Sequence, residues 1–166
     1  MRDLGIGKGD VVALYMPKLP EIFAAFFAVL KLGASLIPLF SGFGPAPHAD
    51  SAHYSGAKAV ITASGTWRRG APLPLKSLLD VALKSSPTVR LVIVVGCDGL
   101  KVETPMLEGR DHWWHDVVPG KQGSIETVEM NAEDPAILLY TSGTTGGPKV
   151  AFEPISASSA QWSRAT

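Results

Sequence analysis

The chain alternates between continuous apolar runs and segments with a helical repeat. "DVVALYMP", Asp10 to Pro17, predicts a buried strand ended by proline. "LPEIFAAFFAVLKLG" follows as a helix, with Pro20 and Glu21 suited to its first turn and Gly33 to the position just past its end. "ASLIPLF" predicts a second strand. Strand, helix and strand with short links form the βαβ signature of a parallel sheet. "GPAPHADSAHYSG" predicts another helix, which Pro45 and Pro47 let start only around Pro47 and Gly56 ends. His48 and His53 fall on its surface. "AKAVIT" is a third strand. "LPLKSLLDVALKSS" puts Leu75, Leu78, Leu79, Ala82 and Leu83 on one helical face. "RLVIVVG" reads as a fourth strand covered on both faces, and "PAILLYT", Pro135 to Thr141, as a fifth. A polar excursion containing "GRDHWWHDVV" separates these last two. The fold class is therefore α/β, a mostly parallel sheet flanked by helices, with no internal repeat.

Composition narrows the function classes. The chain has 166 residues, enough for one ordinary domain or part of a larger one. Hydrophobic residues make up 46% and charged residues 18%, which gives a core and excludes disorder. Lys+Arg and Asp+Glu both number 15, so no basic field invites nucleic acid. The one cysteine, Cys97, excludes an internal disulfide and fits a reducing, cytoplasmic setting. The N-terminus lacks an apolar signal core. The most apolar stretch, Glu21 to Phe40, is interrupted by Lys31, Gly33, Ser35 and Pro38, short of the ~18 apolar residues of a membrane span.

The candidate chemistry follows the fifth strand. In "YTSGTTGGPK", Gly143, Gly146 and Gly147 let the backbone approach a ligand closely. Successive N–H groups in such a turn make a nest for an anion. Thr141, Ser142, Thr144 and Thr145 add hydroxyl donors, and Lys149 adds a positive charge. Glycine and threonine content alone fits a plain hairpin turn equally well. A Walker loop requires Gly-Lys-Ser/Thr, and here Pro148 precedes Lys149 and Val150 follows it.

The order of residues discriminates. Tyr140 to Lys149 resembles the phosphate loop of the adenylate-forming enzymes, the acyl-CoA synthetase superfamily, whose pattern is Tyr-Thr-Ser-Gly-Thr-Thr-Gly, any residue, Pro-Lys-Gly. Gly147 falls on the variable place. Upstream, "LGIGKGDVVALYMP", "FAVLKLGASLIPLFSGFGP", "SGAKAVITA", "RRGAPLPLKSLLDVAL", "GRDHWWHDVV" and "NAEDPAILLYTSGTTG" look like the acetyl- and propionyl-CoA synthetase branch. The resemblance implies the large N-terminal domain of such an enzyme. It also implies ATP, Mg²⁺, coenzyme A and a small carboxylic acid as substrates and cofactors.

By resemblance, Thr141, Ser142, Gly143, Thr144, Thr145, Gly146 and Lys149 embrace the β- and γ-phosphates of ATP. A glycine-containing loop, here Gly42, Phe43 and Gly44, and an arginine pair would hold coenzyme A. Arg68 occupies the first arginine place and Ala71 the second, with Arg69 close by; the alternative for Arg68 and Arg69 is a solvated loop pair. His112 and His115, flanked by Asp111 and Asp116, have a spacing that could bind a metal, but packing is the stronger reading because further ligands are lacking. Cys97 has no evident basic partner and reads as inert.

The match breaks after Lys149. The family continues with glycine and, farther on, often Thr-His-x-Gly-Phe; this chain has "VAFEPISASSAQWSRAT". The expected organisation is a partial AMP-binding domain over 1–149 and a non-family tail over 150–166. A changed reading frame would restore the missing glycine and a Thr-His-Ile-Gly-Phe segment; a cloning tail or a divergent end are the alternatives. A lysine codon of AAA in the coding DNA contradicts the frame change. The adenine-binding segments, the acidic Mg²⁺ ligand, the acyl pocket and the C-terminal domain with its catalytic lysine are features the family has and this stretch does not match. The chain alone is therefore expected to be catalytically silent, and to self-associate through exposed apolar surface or be marginally stable; the alternative is a non-catalytic truncated product with weak nucleotide-phosphate binding or an interaction role.

Overall fold

The computed structural model describes residues 1–40, 56–118, 125–141 and 149–155. In chain order the main elements are β1 (Val11–Met16), α1 (Glu21–Lys31), β2 (Ser35–Phe40), β3 (Ala57–Ala63), β4 (Thr66–Arg68) and β5 (Ala71–Leu73). They continue with α2 (Leu75–Leu83), β6 (Leu91–Val95), β7 (Asp111–Trp113), α3 (Trp114–Val117), β8 (Pro135–Thr141) and β9 (Lys149–Pro154). The helix expected from about Pro47 to Gly56, with His48 and His53, lies outside the described residues.

Among the described residues seven strands form one sheet in the order β7-β6-β3-β1-β2-β8-β9. The first six are parallel, and β9 pairs antiparallel with β8. The apolar runs sit where their composition demands. Val12 to Met16 of β1 and all of β6 are buried, because chain covers both faces of these strands. Pro38 lies in β2, inside the sheet, where a proline has no N–H for a ladder. Among the described residues the β2–β8 register pair is Leu36–Ile137, short of the proline.

Helix α1 turns Ala25 and Val29 onto the sheet, with both side chains fully buried. Its apolar character extends all round, and Phe23 and Phe27 on its outer face are 68% and 61% exposed. A helix without a polar face is normally covered on every side. Gly33 ends it at φ 69°, a left-handed position where a Cβ would also come within 2.8 Å of the Met130 sulfur. The 125–131 segment therefore packs closely over this end of the helix, and Val128 N–H donates to the Lys31 carbonyl (3.0 Å).

An ionic cluster fixes the polar excursion against α2. Lys76 is wholly buried; its Nζ lies 2.6 Å from Asp80 Oδ2 and 2.7 Å from Asp111 Oδ2, and it donates to the Pro105 carbonyl at 2.8 Å. The Arg110 guanidinium bridges Asp80 and Asp111 from the other side. The Leu107 N–H completes the coordination of Asp111, donating to Oδ2 at 2.8 Å. Six groups from helix α2 and the 105–111 stretch thus satisfy one another in a place where an unpaired charge would be costly.

Candidate phosphate-loop edge

Parallel α/β sheets bind ligands beyond the carboxyl ends of their strands, where the strand order reverses. Here the chain steps from β1 outward to β2, then returns to place β3 on the other side of β1. The reversal lies at β1. Each sequence-predicted site segment follows a strand of this sheet at the carboxyl end: Gly42–Gly44 after β2, Arg68 after β3, and the Thr141–Lys149 loop after β8. Strands β2 and β8, which lead into two of these segments, are neighbours.

The phosphate-loop candidate bridges β8 and β9. Thr141 and Lys149 are register partners across this antiparallel pair, so the first and last residues of the candidate site stand directly opposite each other. The antiparallel β8–β9 pairing is the one the hairpin alternative calls for. Ser142, Gly143, Thr144, Thr145 and Gly146 lie outside the described residues. So do Gly42, Phe43 and Gly44.

Arg68 closes the short strand β4, which pairs antiparallel with β5 and puts Arg68 opposite Ala71. Two residues make the turn, Arg69 at φ 51° and Gly70 at φ 79°. Positive φ at both central positions gives the tight turn whose twist suits a hairpin. Arg68 is an exposed strand residue and Arg69 an exposed turn residue. Tyr15 is buried below, and burial pushes its hydroxyl pKa up; the Arg68 charge opposes that rise.

In the Asp-His-Trp-Trp-His-Asp segment Asp111 to Trp114 are half-buried, whereas His115 and Asp116 are exposed. The Asp111 carboxylate is committed to Lys76 and Arg110. Trp113 and His115 stack with ring centroids 5.7 Å apart. Among the described residues no group of three His, Cys, Asp or Glu is placed to hold a metal ion. The Cys97 thiol is half-buried and lies 3.1 Å from the Gly65 carbonyl, which accepts its hydrogen.

Sheet order, loop position and residue order together define an AMP-binding fold. The family model for AMP-binding enzymes matches residues 1–156, and the chain belongs to that family. Its relatives place it further. It is 45% identical over 149 residues to the acetyl-coenzyme A synthetase of Rhodopirellula baltica, covering 90% of this chain and 22% of that protein. Identity to the acetyl-coenzyme A synthetase of Methanothrix soehngenii is also 45%, with the same coverage. An acetoacetyl-CoA synthetase from Streptomyces lividans shares the fold, with a TM-score of 0.79 and 23% identity over 93% of this chain and 23% of that one. The chain thus spans about a fifth of the length of the curated relatives it matches.

Proposed function

We propose that this chain is the phosphate-loop portion of an AMP-forming acyl-CoA synthetase acting on acetate, propionate or a similar short acid. In the reaction, the acid's carboxylate attacks the α-phosphorus of ATP and pyrophosphate leaves. The thiol of coenzyme A then displaces AMP from the acyl-adenylate and gives the thioester. Negative charge shifts onto the departing β- and γ-phosphates in the first step. Preorganised N–H and hydroxyl donors from Thr141 to Gly146, with the Lys149 ammonium, would stabilise that charge. Mg²⁺ would neutralise more of it. Arg68 and the Gly42–Gly44 segment would contact coenzyme A.

The ten-residue order from Tyr140 to Lys149, at the end of a strand in a parallel sheet, carries this reading. Titration calorimetry of the chain with MgATP and with pyrophosphate tests it. Saturable binding in the millimolar range or tighter supports the assignment, and its absence contradicts it. The cytoplasm is the proposed compartment; among the described residues no helix is long and apolar enough to cross a membrane. We also propose that the residue order departs from the family pattern after Lys149, within a family match that runs to residue 156 and a strand in which Val150 to Pro154 pair with β8.

A second reading, a non-catalytic chain with an interaction role, is favoured by the outer face of α1. Phe23 and Phe27 lie one turn apart and form an exposed apolar patch. The chain alone is expected to give no acetate- or propionate-dependent ATP–pyrophosphate exchange. It is expected to associate through this patch. The double substitution Phe23→Ser with Phe27→Ser should shift sedimentation velocity profiles toward monomer by a clear majority of the material. An unchanged distribution would place the contact elsewhere.

A further inference from the structure

A cavity opens at the amino ends of β3 and β6, the end of the sheet opposite the one where the phosphate-loop segment follows β8. Its volume is about 270 Å³. Leu4 and Ile6, which precede β1, and Leu91, the first residue of β6, line it with apolar surface. Lys58, Arg90 and His112 supply its polar groups. Ile6 and Leu91 belong to the buried core, so the floor is fixed. Gly109 also lines the cavity; a Cβ there would meet nothing within 4 Å, so this side is open. An apolar floor with a few convergent polar groups is the usual form of a small-molecule site, and the volume lies just under the roughly 300 Å³ at which such sites begin.

The charges on the wall decide which ligand fits. Lys58 is already committed: its Nζ donates to the Gly5 carbonyl at 2.6 Å and lies 2.9 Å from Asp10 Oδ2. Arg90 is exposed and is held through its backbone, its N–H donating to the Lys58 carbonyl at 2.9 Å. Among the described residues the ion pairs use Lys8, Lys58, Lys76, Arg110 and His115, and Arg90 enters none. Among the described residues no carboxylate lines the cavity. His112 is half-buried, and an imidazole keeps an N–H donor in either protonation state. Its spacing to His115 made it a candidate metal ligand, but it shares this cavity with two cationic side chains, which repel a metal ion and attract an anion.

We infer that this cavity binds a small amphipathic carboxylate, with the carboxyl group on Arg90 and His112 and the hydrocarbon on Leu4, Ile6 and Leu91. A guanidinium pairs with a carboxylate through two parallel N–H···O bonds. One uncompensated cation matches a monoanion, whereas a phosphate dianion would leave half its charge unanswered. The apolar floor favours an acid with a chain of several carbons over acetate. The inference does not rest on the proposed synthetase activity, since no residue assigned to ATP or coenzyme A takes part in it.

The intact chain is titrated with hexanoate, hexanol and inorganic phosphate, followed by calorimetry and by amide chemical shifts in NMR spectra. The titrations are repeated on Arg90→Ala, Arg90→Lys and His112→Ala, with circular dichroism to check that each variant is folded. Hexanoate should bind saturably and shift the amides of Ile6, Leu91 and Gly109 most. Arg90→Ala should weaken it about 10-fold or more, the effect of losing a hydrogen bond to a charged group. Arg90→Lys should keep part of the affinity, because the charge stays while the paired geometry is lost. Hexanol, which lacks the charge, should bind the parent no better than Arg90→Ala. Loss in Arg90→Ala with His112→Ala unchanged supports the site and removes His112 from it. Hexanoate affinity unchanged in Arg90→Ala, or shifts concentrated around Phe23 and Phe27, overturns the site. Phosphate binding tighter than hexanoate overturns the choice of a carboxylate. No saturable hexanoate binding by the intact chain overturns the inference altogether.

Discussion

Replacing Asp111 with alanine is expected to destabilise the protein by about 3–5 kcal/mol, the usual consequence of removing one partner from a buried ion pair. Lys76 would keep its ammonium fully buried with only Asp80 and the Pro105 carbonyl for company. Arg110 would turn to the same Asp80, so two cations would share one carboxylate. Urea unfolding followed by circular dichroism measures the loss as a lower midpoint at unchanged slope. The contrast is Lys8→Ala, which removes a half-exposed amine 3.8 Å from Asp134 and should cost under about 1 kcal/mol. Equal effects from the two substitutions would contradict the distinction.

The same carboxylate sets a pH dependence. Burial alone would push the Asp111 pKa up, but Arg110, the Leu107 N–H and Lys76 outweigh it and hold the pKa below the ordinary carboxylate value. A group with a depressed folded pKa binds fewer protons when folded than when unfolded, so stability rises with pH across the interval between the two values. Its contribution is complete above the unfolded value near 4 and disappears as pH falls through the folded one. Asp111→Ala should therefore be less sensitive to acid than the parent in this interval.

Replacing Lys149 with alanine is expected to weaken MgATP binding by about 10- to 100-fold, the span of one hydrogen bond to a charged group. Lys149 stands opposite Thr141 at the mouth of the β8–β9 hairpin. Removing its ammonium should leave the strand pairing, and hence the melting temperature, nearly unchanged. Raising the salt concentration should weaken binding by the parent more than by the variant, because only the parent has this ion pair to screen. An affinity within twofold of the parent would remove Lys149 from the site.

The legible part of the fold is the part with a long period or a long apolar run. Five strands and two helices stand out because burial on both faces, or on one helical stripe, imposes a pattern over many residues. The β4–β5 hairpin is not legible: three-residue strands have no period, and its turn uses an arginine at positive φ where glycine or asparagine is the usual signal. Strand β7 is hidden by the His-Trp-Trp sequence, which invites a metal or packing reading. Lys76 sits next to the apolar stripe of α2 and gives no hint that it is buried; only the three-dimensional meeting with Asp111 and Arg110 explains it. Strand β9 begins at Lys149, within the segment whose residue order fixes the family. There the motif is informative about chemistry and silent about pairing.

Function is legible from order rather than composition. Glycine and threonine content leaves turn and anion nest equal, whereas the succession from Tyr140 to Lys149 separates this family from Walker-type loops. The structure adds that β8, which leads into that succession, and β2, which leads into the Gly42–Gly44 stretch, are neighbouring parallel strands.

The most direct test exchanges residues 1–149 for the matching segment of the Rhodopirellula baltica acetyl-coenzyme A synthetase and measures acetate-dependent ATP–pyrophosphate exchange. The account predicts that the chimera exchanges, and that Lys149→Ala within the exchanged segment abolishes the activity. A chimera that is folded and monodisperse by gel filtration and circular dichroism, yet shows no exchange, would contradict it.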